Sequence, residues 1–181
     1  REQLQPGDRV LLSCCQSLDF HIGFLGCLFA NCIAIPVHTP RVRLNQEHLG
    51  LSKFISLIKA SGAKLVFFSS DTLQRLEGHI DKVQALSRLE ITSVEDALIN
   101  LPMKRTAVVS HPDDIAFLQF TSGSTSLPKG VVITQRCIMN NQNYIREKYR
   151  LKLNTHLVSW LPLYHDMGLC LGFLLGIAFG L

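Results

Sequence analysis

Short apolar segments alternate with amphipathic segments along almost the whole chain, and this alternation constrains the fold more than any other feature. It begins with a predicted strand at Arg9–Ser13, a predicted helix at Asp19–Ala30 and a predicted strand at Ile33–Val37. Strands that alternate with helices of about 10–15 residues indicate βαβ units, in which helices cover a parallel sheet. The sequence therefore predicts an α/β fold with a mostly parallel sheet covered by helices. Further helices are predicted at Gln46–Ser61, Thr72–Ala85, Val94–Leu98 and Arg136–Tyr149, and further strands at Lys64–Phe68, Leu89–Thr92, Ile115–Phe120, Val131–Thr134 and Leu157–Leu161.

The last predicted helix lies in the apolar run Met167–Leu181, in which glycine recurs every four residues at Gly168, Gly172, Gly176 and Gly180. The run has 15 residues, fewer than the roughly 18–20 that span a bilayer. Such a stripe of small residues occurs both in paired transmembrane helices and in buried helices that pack closely against a sheet. We expect a buried helix and no membrane span.

Composition narrows the class of protein. The chain has 181 residues, is 47% hydrophobic and carries a net charge of +4, which is typical of one globular domain with a sizeable core. The six cysteines form no Cys-x-x-Cys pair, so a reducing, cytoplasmic setting is expected. The most basic segment, Arg136–Lys152, shows no pattern of basic and aromatic residues that supports binding to RNA or DNA. No nucleic-acid partner is therefore expected.

A hydroxyl-rich stretch, Thr121–Gly130, joins two of the predicted strands, and we call it the hydroxyl loop. It contains five hydroxyl side chains, two glycines and one lysine. Hydroxyls donate to anionic oxygens, glycine lets backbone N–H groups approach a ligand, and a lysine adds a positive charge. These are the parts of a phosphate-binding loop. The candidate phosphate-binding residues are Thr121, Ser122, Gly123, Ser124, Thr125, Ser126 and Lys129.

The composition of the hydroxyl loop also occurs in two other kinds of loop. A Walker-type loop reads G-x-x-x-x-G-K-[ST] and opens a helix, whereas here Lys129 precedes Gly130 and β-branched residues follow. A strand–loop–strand unit is therefore expected. The other alternative is a polar turn without a ligand, because serine, threonine, glycine and proline are ordinary turn residues.

A second polar cluster, Tyr164-His165-Asp166, follows the predicted strand at Leu157–Leu161. Ligand-binding residues of α/β folds concentrate at the carboxyl ends of strands, so His165 is a candidate catalytic residue. Sequence neighbours usually point in different directions, and only geometry establishes a catalytic dyad. A pairing of His165 with Asp166 is therefore not inferred from the sequence.

The two motifs together resemble those of a known family. The wording T-S-G-S-T-x-x-P-K-G, followed by S-W-L-P-L-Y-H-D-M-G-L, is similar to the adenylate-forming superfamily and most similar to its fatty acyl-AMP ligases. The segment Leu18–Val37 resembles the early helix–strand unit of that family, so the resemblance covers nearly the whole chain. Three positions depart from the family pattern: Ser126 stands where glycine is frequent, Asn31 where a small residue is usual, and Gln135 where histidine is common.

The resemblance implies an enzyme that joins the carboxylate of a fatty acid to the α-phosphate of ATP, giving an acyl-adenylate and pyrophosphate. It implies ATP and Mg²⁺ as cofactors, with the Mg²⁺ ligand expected beyond Leu181. It assigns the hydroxyl loop to the β- and γ-phosphates, and His165 to the lining between the α-phosphate and the acyl carboxylate. The catalytic residues it implies are His165 and Lys129. An acyl carrier protein is the expected acceptor of the acyl group. The alternatives are a long- or medium-chain acyl-CoA synthetase and a non-catalytic module that binds acyl-adenylate.

The resemblance also implies that residues 1–181 are part of the large N-terminal AMP-binding domain of a longer protein. The remainder of that domain and a C-terminal domain with a catalytic lysine are expected outside the chain. We therefore expect residues 1–181 by themselves to form no acyl-adenylate.

Overall fold

A computed structural model of the chain describes residues 4–14, 18–40, 47–76, 89–99, 108–121 and 128–181. Strands and helices alternate in these residues as the sequence predicts. The strands are β1 (Arg9–Ser13), β2 (Ile33–Pro36), β3 (Leu65–Phe68), β4 (Glu90–Ser93), β5 (Ile115–Thr121) and β6 (Lys129–Thr134). The helices are α1 (Leu18–Phe29), α2 (Glu47–Ser61), α3 (70–76, where the described segment ends), α4 (Val94–Ile99), α5 (Gln135–Lys148) and α6 (Leu175–Phe179), with a π-helix at Gly168–Leu174 directly before α6.

The described strands form one sheet in the order β4–β3–β1–β2–β5–β6. Strands β1 to β5 pair in parallel, and β6 pairs antiparallel to β5 at the edge of the sheet. Parallel neighbours require crossover connections, and α1 and α2 supply the crossovers after β1 and β2. The predicted α/β fold with a mostly parallel sheet is confirmed.

Helices cover both faces of this sheet. Successive residues of a strand point to opposite faces, and in β1 Val10 packs with Phe24 of α1 whereas Leu11 packs with Phe54 of α2. Two apolar cores result, one on each face. The face of α1 also packs against residues of the π-helix, including Phe173. This arrangement brings the end of the chain against the strands that precede the hydroxyl loop.

Two turns between elements depend on residues that accept a left-handed backbone. Helix α2 ends at Gly62, whose φ is +60°, and this agrees with the helix end predicted from the glycine. Asn31, between α1 and β2, has a φ of +52°, which asparagine tolerates better than most residues. Its side-chain amide donates to Oδ2 of Asp114 at 3.0 Å. The departure from the family pattern at Asn31 thus has a local structural explanation.

The strand predicted at Leu157–Leu161 is wrong. The segment is not part of a sheet, and no described strand pairs with it. A β-strand is defined by its ladder of hydrogen bonds, and an apolar pattern cannot supply the partner. Val158 and Trp160 are instead 86% and 84% exposed.

The glycine-rich run packs in the core on the α1 side of the sheet, as predicted for a buried helix, but it is not one regular α-helix. It begins as the π-helix, in which Leu175 N–H donates to Cys170 O five residues back, and continues as the short α6. Gly168 and Gly172 lie close to the 157–163 segment, since an added Cβ would be 2.2 Å from Pro162 O and 2.8 Å from Ser159 Oγ. Gly180 ends α6 with a φ of +64°. Gly168 and Gly172 therefore allow close packing, whereas Gly180 allows the left-handed end of α6.

No helix in the described part of the chain has the length and apolar character needed to cross a membrane. The helix predicted at Thr72–Ala85 is confirmed as far as residue 76, and its remainder lies outside the described residues.

Candidate active site

The hydroxyl loop is the connection of an antiparallel hairpin formed by β5 and β6. Thr121 pairs with Lys129, and Phe120 pairs with Gly130. Paired residues of an antiparallel ladder have Cα atoms about 4.5–5.5 Å apart, so Thr121 and Lys129 lie side by side at the base of the loop. A strand begins at Lys129 where a Walker-type loop would begin a helix. The predicted strand–loop–strand unit is confirmed.

The interior of the hydroxyl loop lies outside the described residues. This applies to Ser122, Gly123, Ser124, Thr125 and Ser126. Of the predicted phosphate-binding residues, the structure places Thr121 and Lys129, and both are exposed. The assignment of the whole set to phosphates stays a prediction.

A close aromatic contact lies at the base of the hairpin. A Cβ atom on Gly130 would lie 3.0 Å from Cζ of the Phe120 ring on the paired strand. The absence of a side chain at Gly130 therefore lets the Phe120 ring cross over β6. The contact thus packs Phe120 against Gly130, the pair of residues next to Thr121 and Lys129 in the hairpin.

His165 and Asp166 form a tight turn after Pro162. The backbone N–H of His165 donates to Pro162 O at 3.0 Å, and Leu169 N–H donates to His165 O at 2.9 Å. Nδ1 of His165 is 2.6 Å from Oδ1 of Asp166. The backbone N–H of Met167 donates to the same Oδ1 at 2.7 Å and is 3.4 Å from Nδ1 of His165, so the three groups converge directly before the π-helix. These two neighbours do contact each other, contrary to the usual divergence of adjacent side chains.

The strand that leads into the hydroxyl loop contacts the second motif, through two residues that are 45 positions apart in the sequence. The amide Nε2 of Gln119, in β5, donates to the backbone carbonyl of Tyr164 at 3.0 Å. The ring of His38, just after β2, meets the Tyr164 ring edge-on with centroids 4.9 Å apart. The turn with His165 is therefore attached to the strand that leads into the hydroxyl loop.

Sequence reasoning missed Gln119 and His38. Gln119 is the only polar residue in the run Ile115–Phe120, and it lies directly before the hydroxyl loop. His38 directly follows the predicted strand at Ile33–Val37. A polar residue inside an apolar strand was the available signal, but nothing in the sequence identifies Tyr164 as its partner.

Two aspartates hold the opposite end of the hairpin. Asp114 accepts from the His111 backbone and from Asn31, and these hydrogen bonds lower the pKa of its carboxyl. Asp113 accepts from Arg136 at 2.8 Å, which lowers the pKa of Asp113 in the same way. These contacts join the start of β5 to the turn before β2 and to the start of α5. The hairpin is thus fixed at the end away from the hydroxyl loop.

The described residues do not fit a metal site. Among them there is no group of three or more histidine, cysteine, aspartate or glutamate side chains that could hold an ion. Mg²⁺ prefers carboxylate and phosphate oxygens in a near-octahedral arrangement. We therefore derive no step through Mg²⁺ from these residues.

The sequence matches the AMP-binding enzyme family over residues 1–181. The chain belongs to the AMP-binding enzyme family. This agrees with the resemblance of its two motifs to adenylate-forming enzymes.

Two curated relatives of this AMP-binding chain cover most of it. The medium-chain-fatty-acid–[acyl-carrier-protein] ligase TtuA of Teredinibacter turnerae is 30% identical over 91% of the chain and 31% of the relative. The long-chain-fatty-acid–AMP ligase FadD28 of Mycobacterium tuberculosis is 31% identical over 92% of the chain and 29% of the relative. The chain thus spans about 30% of the length of these relatives.

A solved structure with a similar fold is that of a fatty acyl-adenylate ligase from L. pneumophila in complex with acyl adenylate and pyrophosphate. It superposes with a TM-score of 0.82 and 32% identity, covering 98% of this chain and 30% of that one. The architecture of the AMP-binding chain is therefore that of an adenylate-forming enzyme domain.

Proposed function

We propose that the full-length protein activates a fatty acid with ATP, forming an acyl-adenylate and pyrophosphate, and that residues 1–181 are part of its large N-terminal domain. The main support is the fold shared with a ligase whose structure holds acyl adenylate and pyrophosphate, at 32% identity over 98% of the chain. The hairpin that presents the hydroxyl loop is the local feature that suits this chemistry. A polar turn without a ligand would account for the serines, threonines and glycines of the loop, but not for Lys129 at its end or for the likeness to that ligase.

The reaction needs anion binding more than acid–base chemistry. A fatty acid is ionised at neutral pH, because carboxyl groups titrate near about 4. Its carboxylate oxygen attacks the α-phosphorus, a new P–O bond forms, and the bond to the departing pyrophosphate breaks. Charge develops on the pyrophosphate, so preorganised donors around it lower the barrier. No general base is required for the attack.

We assign Thr121, Lys129 and the loop between them to the β- and γ-phosphates. The pairing of Thr121 with Lys129 supports this assignment, because one anion at the base of the loop lies within reach of both side chains. We assign His165 to the lining between the α-phosphate and the acyl carboxylate. The attachment of its turn to β5 through Gln119 supports that position.

We further propose that the acyl group passes to an acyl carrier protein in the cytoplasm. Support for the acceptor comes from TtuA, which is named as an acyl-carrier-protein ligase and is 30% identical. Cys137 is an exposed thiol, and exposed thiols are typical of reducing compartments. Offering acyl carrier protein and coenzyme A separately to pre-formed acyl-adenylate tests the acceptor, since faster transfer to coenzyme A would contradict it.

The reaction is tested by fatty-acid-dependent ATP–pyrophosphate exchange in the full-length protein. We expect exchange with medium- or long-chain fatty acids, and none without a fatty acid. If none of the fatty acids tested supports pyrophosphate exchange, the proposed function is refuted.

The Lys129→Ala variant tests the role of the hydroxyl loop. Loss of one preorganised donor to the departing charge typically slows the chemical step about 10²-fold. The matched control is Lys53→Ala, which removes an exposed lysine from α2. This helix covers the face of the sheet opposite to α1 and the π-helix. Equal exchange rates for the two variants would contradict the assignment of Lys129.

A further inference from the structure

Gln119 is a polar residue on the inner side of the hairpin. Its neighbours Leu118 and Phe120 pack against the core on the α2 side of the sheet. Because side chains alternate along a strand, Gln119 points to the opposite face, where Leu163 and the π-helix pack. There its Nε2 donates to Tyr164 O at 3.0 Å.

Only one half of the Gln119 amide is satisfied. Its Oε1 atom is buried and has no hydrogen-bond partner among the described residues. A buried acceptor without a donor lowers stability, and an unbranched apolar residue of the same length would avoid that cost. A glutamine at this position is therefore explained by its N–H group, whose partner is the residue before His165.

Tyr164 is held on a second side by His38. The His38 ring meets it edge-on at 4.9 Å, and Nδ1 of His38 donates to the Thr39 carbonyl, which sets the orientation of the ring. The Thr39 hydroxyl in turn donates to Ser13 O, at the end of β1, at 2.8 Å. The turn before His165 is thus held between β5 and the carboxyl ends of β1 and β2.

We propose that Gln119 is a positioning residue, which fixes the distance between His165 and the base of the hydroxyl loop at Thr121 and Lys129. The inference rests on the proposed function, in which the loop binds one end of ATP and His165 lines the reacting end. The two must then keep a constant separation, because a misplacement of about 1 Å can slow a reaction by about 10²-fold. A side-chain bond from the strand entering the loop to the residue before His165 provides that constraint.

The attachment itself is tested by hydrogen–deuterium exchange of the full-length Gln119→Met variant. Methionine has nearly the same length and no N–H group. Peptides spanning 162–169 contain the hydrogen bonds of His165 N–H and Leu169 N–H, and we expect them to exchange about fivefold faster, the effect of losing one hydrogen bond. The matched control is Gln74→Met, on the exposed side of α3, for which the same peptides exchange as in the unmodified protein.

The action through His165 is tested by a double-mutant cycle on the maximal rate of ATP–pyrophosphate exchange. Gln119→Met is expected to lower this rate about tenfold in the unmodified protein and less than about twofold in the His165→Ala background. The KM for ATP is expected to change less than about twofold, since ground-state binding is retained. A purely structural role would instead give the same loss in both backgrounds.

The inference is overturned by unchanged deuterium uptake at 162–169, or by equal rate losses in the two backgrounds. If the unmodified protein shows no ATP–pyrophosphate exchange with any fatty acid, the proposed function fails. The deuterium measurement still decides in that case whether Gln119 holds the turn.

Discussion

Replacing Gly168 with alanine is expected to destabilise the protein and to slow its reaction. The added Cβ would lie 2.2 Å from Pro162 O and 2.9 Å from Leu161 O, whereas a carbon–oxygen contact is normally at least about 3.3 Å. Both obstacles are backbone atoms, so rotating a side chain cannot relieve the overlap. The segment before His165 must move by about 1 Å, the difference between these distances.

The cost of this movement follows from overpacking. Overpacked buried sites typically lose about 1–3 kcal/mol, and a loss of about 2 kcal/mol lowers the thermal midpoint by about 4–8 °C in a domain of 150–250 residues. The control is Gly26→Ala in α1, where nothing lies within 4 Å of the new Cβ. Alanine there is expected to gain about 1 kcal/mol of helix propensity, and the midpoint rises by about 2–4 °C.

The same substitution reports on the active site. Pro162 O accepts the His165 N–H at 3.0 Å, so displacing Pro162 displaces His165. We expect Gly168→Ala to slow fatty-acid-dependent pyrophosphate exchange about 10²-fold, and Gly26→Ala to leave it unchanged. The assay is differential scanning fluorimetry of the full-length protein together with pyrophosphate exchange. A Gly168→Ala midpoint equal to or above that of Gly26→Ala would refute the reasoning.

Two further predictions concern the support of the fold. Asn31→Ala is expected to lower the free energy of unfolding by about 1–2 kcal/mol, because alanine is strained in the left-handed backbone of this position. Asn31→Gly is expected to lower it less, although both variants lose the hydrogen bond to Asp114. Equal urea midpoints for the two variants would contradict the role of the backbone. The backbone N–H of Gln5 and the ammonium of Lys64 lower the pKa of Asp8. The stability that these two interactions of Asp8 contribute is therefore present above the ordinary carboxyl pKa of about 4. It is lost as the pH falls through the lowered pKa of Asp8 in the folded state. The drop in thermal midpoint between pH 7 and pH 3 is expected to be smaller in Asp8→Asn than in the unmodified protein, and an equal drop would contradict this account.

Local sequence patterns predicted most of the sheet because burial on both faces leaves a clear signal. Arg9–Ser13 and Lys64–Phe68 are short apolar runs bounded by polar or glycine-containing turns, and the structure has strands at Arg9–Ser13 and Leu65–Phe68. The hairpin around the hydroxyl loop was predictable from the β-branched residues that follow Gly130, although β6 itself is largely exposed. The run at Leu157–Leu161 has the same apolar character but was wrongly predicted as a strand, because strand formation also requires a neighbouring strand.

The predicted residues of the candidate site were recognised by their chemical type, and their relation in space was not. Hydroxyls, glycines and Lys129 in one loop indicate anion binding wherever the loop lies. The contact between Gln119 and Tyr164 joins residues 45 positions apart, and no local pattern contains it. The π-helix after His165 was likewise missed, because glycine spacing does not distinguish it from an α-helix.

The sequence by itself determined which segments are apolar, where the chain must turn, and which side chains are candidates for phosphate binding, because these are properties of single residues and near neighbours. The tertiary structure decided that β5, the end of β2 and the turn at His165 converge, and that Gly168 and Gly172 lie against the 157–163 segment. These outcomes depend on which surfaces pack when the sheet forms, and that choice minimises exposed apolar area over the whole chain rather than within any one segment.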